Sequence, residues 1–114
     1  MNTPHKPRRK RRYTPYPVEL PLRYQSLGRG HAAVAGDGLT VAIGCRTAIF
    51  VAQHPLVAGS RVELFIDWPA KLMERTPLQV YMIGTVCGSE GRSTLVAVKR
   101  YVFKIKPQQR LMLA

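Results

Sequence analysis

At 114 residues and 12.8 kDa the chain is sized for one domain with a modest core, which needs neither several disulfides nor a structural metal to hold together. Its formal charge of +12 arises from 18 Lys and Arg against 6 Asp and Glu; a field of one sign attracts nucleic acid, nucleotides, acidic proteins and lipid headgroups alike. No apolar run is long enough for a spanning helix, and the start lacks the apolar stretch of a secretory leader, which disfavours both membrane insertion and Sec-type export.

Residues 1–12 hold Pro4 and Pro7 with Lys6, Arg8, Arg9, Lys10, Arg11 and Arg12, and no acidic residue among them. Such a block repels itself, which predicts a flexible basic arm that orders when an anion neutralises it, or that simply aids solubility. YTPYP at 13–17 reads as extended, because Pro17 disfavours a helical Tyr16. Residues 18–24 alternate, with Val18, Leu20, Leu22 and Tyr24 on one face; Pro21 lacks a ladder donor, so an edge strand is expected. Residues 26–38 carry four glycines and read as a loop with a short strand near 31–35. Gly28 and Gly30 do not make a phosphate loop, since no helical segment follows them.

Residues 40–52 are rich in strand formers but change phase around 44–47: Val41, Ile43 and Cys45 share one parity, Ala48, Phe50 and Ala52 the other. The expectation is a bulge or bend at Gly44 that turns the strand without ending it. After a connection at 53–60, residues 61–67 alternate cleanly, with Val62, Leu64 and Ile66 inward. Trp68 and Pro69 are expected to end that strand, and 70–77 to form a charged connection with room for one helical turn. Residues 78–87 resume a strand, 88–92 make a compact hairpin connection, and strands follow at 94–99 and 101–106. In the last of these Tyr101, Phe103 and Ile105 oppose Val102, Lys104 and Lys106.

About six strands with short connections and no long amphipathic helix predict an all-β fold: a small six-stranded antiparallel barrel at 13–106, preceded by the basic arm at 1–12 and followed by a tail at 107–114. Closure protects strand edges and gives the alternating apolar faces one core. A small sandwich is the rival, because alternation alone does not distinguish the two.

Cys45 and Cys87, the only cysteines, sit in apolar strand-like segments and are read as two buried thiols in a reducing cytosol, hence a cytoplasmic chain. The carboxylates are dispersed, and Asp67 at a strand end reads as structural. His5, His31 and His54 form no ligand set with the cysteines, and no nucleophile elbow occurs, so an enzyme is not expected. The arginines carry the accessible chemistry. A guanidinium forks to phosphate, approaches guanine O6 and N7 in plane, or stacks on a purine, and Tyr13 and Tyr16 are placed to pack or to assist by stacking.

RKRRY before VELPLRY, then TVAIGCRTAIFVA, LVAGSRVELFIDWP, LQVYMIGTVC and STLVAVKRYVFKIK, taken in that order, resemble the PilZ family of small β-barrels, many of which bind the bacterial second messenger cyclic di-GMP. The family's Arg-x-x-x-Arg is matched by Arg8 and Arg12, while Arg9 and Arg11 supply alternative guanidinium groups in the same run. Its second signature, Asp or Asn, any residue, Ser, two arbitrary residues and Gly, falls on AIGCRT, where Ala42, Gly44 and Thr47 replace the three defining residues. A ligand there would rely on backbone groups, Arg46 or Thr47. The resemblance implies a non-enzymatic regulatory module without a cofactor, with cyclic di-GMP as ligand on Arg8, Arg9, Arg12 and Arg46 and a protein partner to receive the signal. The alternatives are a degenerate protein-interaction domain that binds no nucleotide, and a basic barrel that binds nucleic acid.

Overall fold

A computed structural model describes residues 14–27, 33–72 and 75–106. Its strands are β1 (Tyr16–Pro17), β2 (Pro21–Leu27), β3 (Ala35–Ile43), β4 (Thr47–Ala52), β5 (Arg61–Leu72), β6 (Thr76–Glu90) and β7 (Ser93–Ile105). All pairings are antiparallel, in the order β3-β2-β5-β6-β7-β4, and β4 returns to β3. The result is a closed six-stranded barrel, as the alternation and short connections predict, and the sandwich is set aside. The proposed arm at 1–12 and tail at 107–114 lie outside the described residues.

Alternation builds the core. Leu22 and Tyr24 of β2, Phe50 of β4, Val62, Leu64 and Ile66 of β5, Val80 and Met82 of β6 and Val96 of β7 are all buried in one cluster. Each such side chain contributes about 1.5–3 kcal/mol relative to exposure. Tyr24 and Phe50 meet across the barrel with ring centroids 5.6 Å apart. The Tyr24 hydroxyl accepts a hydrogen bond from the His54 N–H at 2.9 Å, which satisfies its polar tip.

Several boundaries differ from the sequence expectation. β2 is an interior strand, flanked by β3 and β5, and Pro21 is tolerated because it pairs at the start with Leu39 while the β5 ladder begins only at Leu22. β3 runs through Gly36 and Gly38, residues expected in a loop, because flanking strands supply the order that glycine lacks. The phase change at 44–47 is a full reversal: Gly44, Cys45 and Arg46 connect β3 to β4, with the Gly44 N–H bonded to the Thr47 carbonyl at 2.8 Å, and a separate bulge lies between Thr40 and Ala42. β5 continues through Trp68 and Pro69 in place of a helical turn. Its register jumps from Trp68↔Leu78 to Lys71↔Pro77, so Pro69 sits in a bulge where no donor is needed. The expected strands at 94–99 and 101–106 are one strand, β7, also bulged. Cys45 and Cys87 are exposed free thiols, Cys45 in the β3–β4 turn and Cys87 at a β6 bulge, where apolar neighbours no longer imply burial.

Candidate functional site: the aromatic rim of the barrel

The strands differ in length, and this opens one end of the barrel. β2 pairs with β5 only as far as Ile66, and β4 pairs with β7 only as far as Ala97. Beyond those points β5, β6 and β7 continue together as a three-stranded shelf whose inner face has, among the described residues, no strand opposite it. Trp68, Tyr101 and Phe103 stand on that face, above Val80 and Met82. With Ile43, Gly44 and Cys45 at the facing turn they line a cleft of about 220 Å³.

A bulge sets the orientation of the aromatics. Gly84 pairs with Val98 and Ile83 with Arg100, which leaves Lys99 unpaired between them. The inward phase of β7 therefore passes from Val96 and Val98 to Tyr101 and Phe103. Trp68 and Phe103 pack edge to face at 5.3 Å, yet Tyr101 and Phe103 remain 47% and 49% exposed. A patch of large apolar side chains left open in this way is a candidate contact surface. At its margin Lys106 and Asp67 form an ion pair at 3.1 Å, both partly exposed.

The start of the described chain arrives at the same corner. Tyr16 pairs with Ile43 and Pro17 with Ala42, along the side of β3 that β2 follows. Pro15 passes over the turn so closely that a Cβ at Gly44 would lie 3.2 Å from its Cα. The AIGCRT stretch is thus divided: Ala42 and Ile43 end β3, Gly44, Cys45 and Arg46 make the turn, and Thr47 opens β4. Arg46 is exposed, and its carbonyl accepts the Val98 N–H at 2.9 Å, which ties the turn to β7. Arg8, Arg9 and Arg12 lie outside the described residues. Of the predicted site residues the structure therefore positions Arg46 alone. Among the described residues no three of His, Cys, Asp and Glu come together, and no helix is long and apolar enough to cross a membrane.

Trp68, Tyr101 and Phe103 were not expected to form a site. The available signal was alternation that continued past the Trp68-Pro69 pair and on through Ile105, but the lengths of the neighbouring strands decide whether such residues are core or rim. No protein-family model matches the chain, and neither does any curated protein or solved structure.

Proposed function

We propose that the chain is a non-enzymatic, PilZ-like regulatory module that works by engaging a protein partner at this rim. The observation that carries the reading is the open aromatic cleft beside a turn where Ala42 and Gly44 stand in place of the polar residues of the family signature. Ala42 and Gly44 offer a nucleotide no side-chain hydrogen bond, and Pro15 occupies the space a larger residue at position 44 would need. Recognition of a polar ligand without those partners forfeits much of its affinity. Trp68, Tyr101 and Phe103 suit instead an apolar side chain of a partner segment, and the basic run that leads into β1 suits an acidic flank on that segment. In a reducing cytoplasm, the compartment this reading implies, Cys45 and Cys87 would stay thiols.

The second reading, cyclic di-GMP as ligand, is favoured by one observation: β1 registers on Ala42 and Ile43. Tyr16 follows Arg12 by four residues, so the chain tether keeps their Cα atoms within about 14 Å. Arg8, Arg9, Arg12 and Arg46 would then grip the phosphates and guanines, and binding would order the arm and alter the rim.

Trp68 is the only tryptophan, so its emission reports on the cleft directly. Calorimetry near physiological salt with cyclic di-GMP, GMP and a short RNA, alongside Trp68 emission, separates the readings. The first predicts no selective cyclic di-GMP binding by the folded chain, together with a partner photocrosslinked from a Cys45-attached probe and lost on Phe103→Ser. Saturable binding selective for cyclic di-GMP, abolished by Arg8→Ala with Arg12→Ala, would overturn the first reading and establish the second. Steeply salt-dependent RNA binding with little base preference would reject both.

A further inference from the structure

A second cleft lies on the outer face of β5, β6 and β7, with a volume of about 470 Å³ and a lining of Arg61, Ile83, Gly84, Thr85, Lys99 and Arg100. In the barrel order β6 is three strands from β3 by either route, so this cleft faces away from the β3–β4 turn and the aromatic rim is not part of it. We propose that it binds a small diphosphate-bearing ligand.

The bulge at Lys99 makes the site. Successive residues of a regular strand point to opposite faces, so Lys99 and Arg100 would ordinarily diverge. Because Lys99 has no partner in the β6 ladder, both side chains line the same cleft. Arg61 reaches it from β5, where it pairs with Thr85, and Thr85 adds a hydroxyl donor. Ile83 forms an apolar floor. It points outward yet is buried, and its cross-strand neighbours are Glu63 on β5 and Arg100 on β7.

No carboxylate lines the cleft. Among the described residues the ion pair is Lys106 with Asp67, and none of Arg61, Lys99 and Arg100 takes part in one. Glu63 is the nearby carboxylate on the outward face of β5, and its Oε2 accepts the Tyr81 hydroxyl at 2.6 Å, outside the cleft lining. Three cations at one bulge repel each other across the sheet, and a multiply charged anion reverses that repulsion. Two guanidinium forks, one ammonium and one hydroxyl match the oxygens of a diphosphate better than those of a single carboxylate. The concave space also exceeds what one phosphate fills.

The test uses the full chain, labelled with ¹⁵N and titrated with inorganic pyrophosphate, with ADP, and with a short RNA of comparable charge. The expected result is saturable shifts of the Gly84, Thr85 and Arg100 amides. Affinity should fall about tenfold or more in Arg61→Gln with Arg100→Gln, and these shifts should persist in Arg8→Ala with Arg12→Ala. Equal affinity for pyrophosphate and ADP assigns a free diphosphate, and tighter ADP assigns a nucleotide; both support the site. Should the double variant lose its fold by circular dichroism, Lys99→Gln carries the same test with a smaller expected loss. Cleft amides that stay still, shifts that never saturate, unchanged affinity in the folded variants, or tighter RNA binding at these amides would each overturn the proposal.

Discussion

Thr40→Val should loosen the corner where the chain enters the barrel, although it preserves side-chain shape and strand preference. Thr40 is 3% exposed, and its hydroxyl joins two segments: it donates to the Val18 carbonyl and accepts the Leu20 N–H at 2.8 Å. These residues fill the gap between β1 and β2, two short strands that lie end to end along β3. Without the hydroxyl one carbonyl and one amide are stranded there. With about 1–3 kcal/mol for the buried Leu20 amide left unsatisfied and about 1 kcal/mol for the Val18 carbonyl, whose bond is only part-buried, the expected loss is about 2–4 kcal/mol. For a domain of this size that lowers Tm by about 10–25 °C. Urea and thermal unfolding measure it, with Thr40→Ser as control, since that change keeps the oxygen and loses only a methyl, about 1 kcal/mol. A Thr40→Val protein within about 0.5 kcal/mol of wild type, or a Thr40→Ser protein equally damaged, would refute the role of the hydroxyl.

Gly84→Ala places a Cβ 2.2 Å from the Ala97 carbonyl oxygen, so β6 and β7 must part. The overpacking cost of about 1–3 kcal/mol exceeds the entropy recovered from the unfolded glycine; a chemical-denaturation midpoint unchanged from wild type would reject the close approach. Tyr81 titrates above 10.0, chiefly because its hydroxyl donates to Glu63 and secondarily through burial and the Glu63 charge, while Arg100 and Arg61 oppose the shift. A raised folded-state pKa means that the folded chain holds the proton longer. The contribution is complete below the unfolded value near 10.0 and is lost as pH rises through the folded one. Ultraviolet titration should show Tyr81 moving back toward its ordinary value in Glu63→Ala, and no movement would remove Glu63 as the cause.

The parts of the fold that were legible in the sequence are those where one strand's pattern suffices. Val62, Leu64 and Ile66 alternate without interruption, and all three are buried. What stayed hidden depends on partners. Pro21 reads as an edge marker, yet β2 is interior, because a strand's first residue can lack a donor at no cost to the next ladder. The run at 40–52 reads as one bent strand because a reversal and a bulge both change parity, and only pairing separates them. Cys45 and Cys87 have apolar neighbours in sequence, but a turn and a bulge turn them outward. The candidate site was hidden for the same reason: Trp68, Tyr101 and Phe103 have core-like residue types, and they become a surface only because β2 and β4 stop short of them.

One unpaired residue connects the two surfaces. Lys99 is the extra residue in β7, and its insertion has two geometric consequences. On the outer face it sets two consecutive cations beside Arg61 in one cleft. Along the strand it advances the phase by one, so that Tyr101 and Phe103, in place of Val102 and Lys104, stand on the inner face with Trp68. A regular β7 would place Val102 and Lys104 over the cleft and send the aromatics outward, because a one-residue slip exchanges every side chain between faces. Lys104 lies instead 5.2 Å from the outer Tyr81 ring, where its charge is favourable against the aromatic face. The bulge is therefore part of how both surfaces are built, and the close approach at Gly84 is what lets β6 and β7 remain paired across it.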